Sequence, residues 1–214
     1  MNLPNKITLT RIFMIPVFVL FFYLDVMNGW NYLVAAIIFV LAAATDALDG
    51  HIARSRGLVT NLGKFLDPIA DKVLVSTALI LLLTRIKAFS LFALLFDGQY
   101  TLVLSYSMEI VSGVCVALIL ARELIVSGFR MIAAERKIVI AADKMGKIKT
   151  VFQDVAITFL LASMAFCESV FGQIVALIGV VCFIACTVLT VLSGVNYIVA
   201  NKSVLSDKKG GEEA

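Results

Sequence analysis

Long apolar stretches separated by short polar segments are the feature of this chain that most restricts its fold. Hydrophobic residues make up 61% of the 214 positions and charged residues 15%, whereas a soluble domain has roughly 45 to 50% and about 25%. Six stretches are long enough to cross a hydrocarbon layer of roughly 30 Å as helices. They lie near residues 12–29, 31–53, 64–84, 106–128, 150–167 and 172–200. The sequence therefore predicts an all-α membrane protein with six transmembrane helices.

Basic residues indicate the orientation, because Lys and Arg stay on the cytoplasmic side during insertion. With a cytoplasmic N-terminus, all 18 Lys and Arg residues except Arg85 and Lys87 fall on the cytoplasmic side. Tyr23, Trp30 and Tyr32 would then lie at the outer interface, where aromatic residues are enriched. This pattern predicts a multi-pass protein of the cell (plasma) membrane with both termini in the cytoplasm.

Charge and cysteine content restrict the partners. The net charge of +3 is small, but the predicted basic face suits anionic lipids or phosphate ligands. No basic domain lies outside the predicted spans, so nucleic acid is not an expected partner. The cysteines show no metal-ligand spacing and are expected to be small apolar side chains. They are Cys115, Cys167, Cys182 and Cys186.

The predicted domain organisation is simple. Residues 1–201 are expected to form a single transmembrane domain, and the polar residues 202–214 a disordered tail. Residues 1–12 combine turn formers with two basic residues, which favours a short juxtamembrane segment before the first span. Within residues 85–105 the apolar run is too short to span, so this segment is predicted to lie at the outer surface or to re-enter the membrane.

Four aspartates interrupt the apolar pattern around the second and third predicted helices. Asp46 and Asp49 are three residues apart, and Asp67 and Asp71 are four apart, so each pair shares one face of a helix. A bare carboxylate deep in a bilayer costs about 2.5 to 3.5 kcal/mol, and four of them would repel one another. Two divalent cations, Mg2+ or Mn2+, would remove both problems because they prefer hard oxygen ligands.

The residues around the aspartates fit a metal site that receives a phosphorylated ligand. Gly50 and Ala53 leave a shallow wall where a flat group can approach closely. Arg54 offers a planar fork for a phosphate, and Gly63 opens the third helix in the same way. Any one of the aspartates could equally be a solvated cap or an ion-pair partner. The combined spacing favours the ligand site.

The motif D-x-x-D-G-x-x-A-R, eight residues, G-x-x-x-D-x-x-x-D is complete in this chain. Its positions are Asp46, Asp49, Gly50, Ala53, Arg54, Gly63, Asp67 and Asp71. It resembles the signature of the CDP-alcohol phosphatidyltransferases. The resemblance implies six membrane helices around a polar cavity that faces the cytoplasm, in agreement with the apolar pattern. It also favours a homodimer.

The same resemblance implies roles for the residues. Asp46, Asp49 and Asp67 would hold one metal ion, and Asp46, Asp67 and Asp71 the other, with Asp71 also the general base that activates an alcohol. Other positions would bind CDP-diacylglycerol. These are Asn5, Thr8, Asp49, Gly50, Ala53, Arg54, Thr60 and Gly63. Thr60 is interpreted equally well as an ordinary helix cap.

A second group of cations, called the basic cluster below, indicates the acceptor. It consists of Arg122, Arg130, Lys144, Lys147 and Lys149. These residues adjoin apolar stretches, which favours an inward-facing anion pocket, and an acceptor with its own phosphate would need several cations where serine would not. The segments LPNKITLTR, ARELIVSGFR and GKIKT also resemble the phosphatidylglycerophosphate synthases. This resemblance implies glycerol 3-phosphate as the acceptor, although residues 88–105 look longer than in that group.

Other interpretations stay open. The acceptor could be inositol phosphate, serine, or phosphatidylglycerol as in a cardiolipin synthase. A cation or proton transporter is disfavoured, because its carboxylates would be distributed across the membrane, whereas the four aspartates adjoin loops on one side. Glu109 and His51 are not assigned a chemical role.

Overall fold

The computed structural model describes residues 3–24, 28–56, 61–85, 87–91, 101–135 and 144–201. Within these ranges the backbone alone is described for residues 3–8, 46–56, 61–68, 71, 87, 101–105, 134–135 and 144. The predicted tail 202–214 and residues 92–100 of the segment predicted to lie outside the spans are therefore outside the described residues.

Helices account for all the regular secondary structure in the described ranges. They are α1 (Leu3–Tyr23), α2 (Trp30–Arg56), α3 (Asn61–Thr84), α4 (Lys87–Ser90), α5 (Thr101–Glu135), α6 (Lys144–Ala165) and α7 (Val170–Ala200). The six long helices overlap the six predicted stretches, while α4 is a single turn in the segment predicted to lie outside the spans. The chain is an all-α membrane protein, as the apolar pattern predicts.

Three of the described helices are long and apolar enough to cross a membrane. The spans are Tyr106–Ala133 in α5, Met145–Ala165 in α6 and Val170–Ala200 in α7. The other three long helices carry shorter apolar parts, Leu9–Tyr23, Trp30–Thr45 and Lys72–Thr84, among the residues whose side chains are described. The count of six spans therefore stays a prediction.

The start of α1 differs from the expected separate juxtamembrane segment. The helix begins at Leu3 and runs without interruption to Tyr23. Pro4 stands in its first turn, where a missing N–H costs nothing because the first four N–H groups of a helix have no intrahelical acceptor. The predicted segment is thus the first part of α1.

The core of the bundle forms where α2 packs between α1 and α6, and α6 packs along α7. Phe18 on α1 contacts Phe39 on α2, with ring centroids 6.1 Å apart. Leu160 on α6 is fully buried and faces Gly179 on α7. Large apolar side chains also lie on the outside of α5 and α7, which is the arrangement expected of helices that contact lipid.

The end of α2 and the start of α3 lie at one end of the bundle, called the aspartate end below. Arg11 on α1 is 0% exposed, and its Nε donates a hydrogen bond of 3.2 Å to the Ala42 carbonyl oxygen on α2, one turn before Asp46. At the opposite end, Tyr23 donates to Thr84 over 3.4 Å, and Trp30 packs edge-on against Phe166. Tyr23 and Trp30, two of the predicted interfacial aromatics, thus lie together at the end away from the aspartates.

The turn between α6 and α7 provides a test of the packing. A Cβ at Gly172 would overlap the backbone oxygen of Phe166, which cannot move without distorting the turn. Gly172→Ala should therefore lower the free energy of unfolding by about 1 to 3 kcal/mol, the usual cost of overpacking. Thermal unfolding in detergent would measure it.

Gly113→Ala on α5 is the matched control, because the described part of the chain, apart from the adjoining backbone of α5 itself, has no atom within 4 Å of the added Cβ. Its melting temperature should equal or exceed that of the wild type. Equal melting temperatures for the two variants would contradict the described turn.

Candidate active site

The aspartate end carries both predicted carboxylate pairs. Asp46 and Asp49 lie near the end of α2, and Asp67 and Asp71 near the start of α3. Both segments are helical, so each pair shares a helix face as the spacing predicts. The two helices contact each other and follow one another through the connection 57–60. The backbone thus places the four positions at one end of the bundle, while their side chains lie outside the described part.

The other positions of the motif lie on the same helices. Gly50, Ala53 and Arg54 belong to α2, and Gly63 belongs to α3. Asn5 and Thr8 lie in the first part of α1, which packs against both of these helices. Thr60 lies outside the described residues. For the other positions the structure describes the backbone alone, and for all of them the contacts with a nucleotide stay a prediction.

Arg122, in the basic cluster, is held by α7. Its Nη2 donates a hydrogen bond of 2.9 Å to the Ser193 hydroxyl. The close approach depends on the next residue, Gly194, where an added Cβ would lie 2.8 Å from Arg122 Cγ. The absence of a side chain at this position therefore determines where the guanidinium of Arg122 lies.

Arg130 is held by the same helix two turns farther along α5. Its Nε donates to the Tyr197 hydroxyl over 3.3 Å, and its Cζ lies 5.4 Å from the centre of the tyrosine ring. Tyr197 is itself buried and packs edge-on against Phe129. The tyrosine thus offers the arginine both a hydrogen-bond acceptor and an aromatic face.

The remaining cations of the cluster differ from one another in exposure. Lys149 is only 4% exposed, and its Nζ forms an ion pair and hydrogen bond with a carboxylate oxygen of Glu123 on α5. Lys147, two residues earlier on α6, is exposed. Lys144 begins α6, and its side chain lies outside the described part. A protein partner with a described contact is therefore shown for Arg122, Arg130 and Lys149.

One contact connects the basic cluster to the aspartate end. Lys72 follows Asp71 on α3, and its Nζ donates to the Ser127 hydroxyl on α5. The same hydroxyl donates to the Glu123 carbonyl oxygen over 2.6 Å. Since Ser127 lies between Arg122 and Arg130 on α5, the cluster and the second carboxylate pair are at the same level of the bundle.

Comparison with known proteins agrees with this arrangement. The family model described as CDP-alcohol phosphatidyltransferase matches residues 1–192. The chain belongs to the CDP-alcohol phosphatidyltransferase family. Among curated relatives, a protein named CDP-diacylglycerol--glycerol-3-phosphate 3-phosphatidyltransferase from Bacillus subtilis (strain 168) is 39% identical over 172 residues, covering 75% of this chain and 76% of its own length.

Two further relatives cover nearly the whole chain. Proteins with that same printed name from Rickettsia typhi and Shigella flexneri serotype 5b are each 35% identical, over 202 and 209 residues respectively. They cover 94% and 97% of this chain, and 98% of each relative is matched. The similarity therefore extends through α5 to α7 as well as through the motif.

CDP-alcohol phosphatidyltransferases use divalent metal ions. Among the side chains that the structure describes, no group of three or more His, Cys, Asp or Glu could hold such an ion, and the four aspartates are outside that set. The donor chemistry of those four residues fits the group, since carboxylate oxygens on two packed helices are the ligands that hard divalent cations prefer. The aspartate end is thus the part of this family member suited to a metal.

Reasoning from the sequence missed the residues that hold the cations. Ser193 and Tyr197 on α7, Glu123 and Ser127 on α5 and the buried Arg11 were not assigned to the site. A signal was present on α7, where the buried polar positions Thr187, Thr190, Ser193 and Tyr197 recur every three or four residues. Such a polar stripe on an otherwise apolar helix indicates a face turned towards other polar groups.

Proposed function

We propose that the chain transfers the phosphatidyl group from CDP-diacylglycerol to sn-glycerol 3-phosphate, with phosphatidylglycerophosphate and CMP as products, in phospholipid biosynthesis. The observation that carries the proposal is the Lys72–Ser127 contact, which puts the basic cluster beside the helix of the second carboxylate pair. The printed names of the relatives, which match most of the chain, support the same pair of substrates.

In this proposal Asp46, Asp49, Asp67 and Asp71 hold two divalent cations, Mg2+ or Mn2+. When bound, the ions would polarise the phosphorus that carries the diacylglycerol and stabilise the negative charge on the departing CMP. The donor set supports the assignment, because four carboxylates on two packed helices repel one another unless cations lie between them.

The proton and the lipid are handled by residues of the chain. Asp71 accepts the proton of the acceptor hydroxyl, whose oxygen forms a new bond to the lipid-side phosphorus. The bond between that phosphorus and the bridging oxygen of the diphosphate breaks, and CMP leaves with the electron pair. The nucleotide lipid is bound by small residues, polar residues and one arginine along α1, α2, the following connection and the start of α3. These are Asn5, Thr8, Asp49, Gly50, Ala53, Arg54, Thr60 and Gly63.

The basic cluster binds the phosphate of the acceptor. Arg122 and Arg130 provide planar guanidinium groups, and Lys144, Lys147 and Lys149 provide ammonium groups. The contacts of Arg122 with Ser193 and of Arg130 with Tyr197 support this role, because they hold flexible side chains in one place before a ligand arrives. An acceptor without a phosphate, such as serine, would have no phosphate group for these cations to bind.

The proposed reaction also determines which side of the membrane the active site faces. CDP-diacylglycerol is a membrane lipid, whereas glycerol 3-phosphate is soluble, so the aspartate end must face the cytoplasm. We therefore place the chain in the plasma membrane as a multi-pass protein with both termini and the active site cytoplasmic. The concentration of Lys and Arg near this end supports that orientation. We further propose a homodimer, as the family resemblance favours.

Purified protein supplied with CDP-diacylglycerol and one alcohol at a time tests the function directly. CMP release should occur with glycerol 3-phosphate. Release with serine, inositol phosphate or phosphatidylglycerol, but not with glycerol 3-phosphate, would show that the acceptor is different while the family chemistry holds.

The carboxylates can be tested singly. Asp67→Asn and Asp71→Asn should each reduce CMP release to the background rate at saturating Mg2+, because the remaining ligands hold the ions too weakly or no base is left. Size-exclusion chromatography in detergent would check that both variants fold. Glu168→Gln, at an exposed glutamate in the turn between α6 and α7, should retain the wild-type rate. Substantial activity in either aspartate variant would contradict the two-metal proposal.

The basic cluster is tested by Arg122→Gln and Lys147→Gln. A charged hydrogen bond to phosphate is worth about 1.5 to 3 kcal/mol, so each substitution should raise the KM for glycerol 3-phosphate roughly ten-fold or more. The KM for CDP-diacylglycerol should hardly change. Arg85→Gln, at an exposed arginine of the opposite end, is the control and should change neither constant. A change confined to CDP-diacylglycerol would assign the cluster to the nucleotide lipid instead.

A further inference from the structure

Glu123 is an acidic residue within the basic cluster. It follows Arg122 on α5, and its carboxylate forms the ion pair with Lys149 on α6. Neither the family motif nor the charge pattern assigns it a role, and a carboxylate would ordinarily repel a phosphate ligand. Its presence among the cations therefore requires an explanation.

The burial of Lys149 provides the first part of that explanation. A lysine that is 4% exposed stays in place only where polar groups hold its Nζ, since its flexible side chain can otherwise turn towards water. Glu123 provides such a group, and it carries the opposite charge. The contact with Glu123 therefore fixes the position of an ammonium group that can donate hydrogen bonds to oxygen.

The backbone around Glu123 provides the second part. Its carbonyl oxygen accepts from Ser127, whose hydroxyl accepts from Lys72 on α3. The preceding residue, Arg122, donates a hydrogen bond to the Ser193 hydroxyl on α7. One turn of α5 is therefore connected by side-chain contacts to α3, α6 and α7, and Glu123 is its link to α6.

We propose that Glu123 is a positioning residue of the acceptor site. Its carboxylate holds Lys149 in position to bind the phosphate of glycerol 3-phosphate, and its turn of α5 keeps that cation in register with the helix of Asp71. This inference rests on the proposed function, because it assigns the ligand of Lys149 to the acceptor substrate.

A competing effect has the opposite sign. If Glu123 were chiefly an internal substitute for the phosphate, its removal would free Lys149 and lower the KM for glycerol 3-phosphate. Positioning predicts the reverse, because a buried lysine that loses this contact also loses the geometry that phosphate binding needs. The near-complete burial of Lys149 favours positioning. The sign of the change in KM therefore separates the two explanations.

Steady-state kinetics with both substrates varied would test the proposal. Glu123→Gln keeps an oxygen for Lys149 but removes the charge, and should raise the KM for glycerol 3-phosphate about five-fold, the consequence of weakening one charged hydrogen bond. The KM for CDP-diacylglycerol should stay within about two-fold of the wild type. Glu123→Asp keeps the charge and should lie closer to the wild type than Glu123→Gln.

A double-mutant cycle with Lys149→Met shows whether Glu123 acts through the lysine. In the Lys149→Met background, Glu123→Gln should not raise the KM further, since the group that it positions is gone. Glu109→Gln is the matched control, at an exposed glutamate of the same helix, and should leave both constants unchanged. If Glu123→Gln does not fold, the test uses Glu123→Asp, both alone and in the Lys149→Met background. The expected increase in the KM for glycerol 3-phosphate is then smaller.

The outcomes are distinct. An unchanged or lowered KM for glycerol 3-phosphate, a further increase in the Lys149→Met background, or equal increases in both Michaelis constants would each overturn the positioning role. Wild-type protein that releases no CMP with glycerol 3-phosphate would reject the proposed function, and the role of Glu123 with it. Normal wild-type release with an unchanged KM in Glu123→Gln would reject the role of Glu123 alone.

Discussion

A charged side chain in an apolar bundle is stable only beside a polar partner, and this constraint organises the aspartate end. The cost of a charge at the centre of a hydrocarbon layer, about 2.5 to 3.5 kcal/mol on insertion scales, is large compared with the net value of a typical hydrogen bond, about 1 kcal/mol. Arg11 therefore contacts a carbonyl oxygen of α2, Lys72 a hydroxyl of α5, and Lys149 a carboxylate. Each contact also joins two helices, so the same partners that stabilise the charges hold the site together.

The helix α5 has two different environments as a result. Much of its surface is apolar and exposed, as at Ile110, Val114 and Leu118, which suits contact with lipid. Near its C-terminal end, in contrast, Arg122 and Arg130 contact α7, and Ser127 contacts α3. In this arrangement α5 carries the two arginines proposed to bind the acceptor, and α7 contacts both of them. The aspartates come from the separate pair α2 and α3.

Local patterns were sufficient to predict much of this architecture. Apolar runs predicted the six long helices, because a helix makes its backbone hydrogen bonds within its own segment. The spacing of the four aspartates predicted two helix faces, because residues three or four apart lie on the same side of one helix. The pairings of Arg122 with Ser193 and of Lys149 with Glu123 could not be predicted in the same way. They depend on how α5 packs against α6 and α7. The sequence contains other serines and glutamates that could be partners of the same cations, and it does not indicate which of them lie close enough. The early start of α1 was also missed, since turn formers such as Pro4 are compatible with both a loop and a first helical turn.

Stability alone does not account for a buried ion pair such as Lys149 with Glu123. Replacing a pair of this kind by apolar side chains of similar volume is often neutral or stabilising. The attraction between the two charges offsets little more than the free energy needed to remove them from water. An apolar pair at this point would join α5 to α6 at least as well. In the proposed function, however, it would remove a buried cation from the level of Lys72 and Arg122, where the phosphate-bearing acceptor would meet the lipid. The ion pair is thus better explained by the binding of an anion than by the packing of the helices.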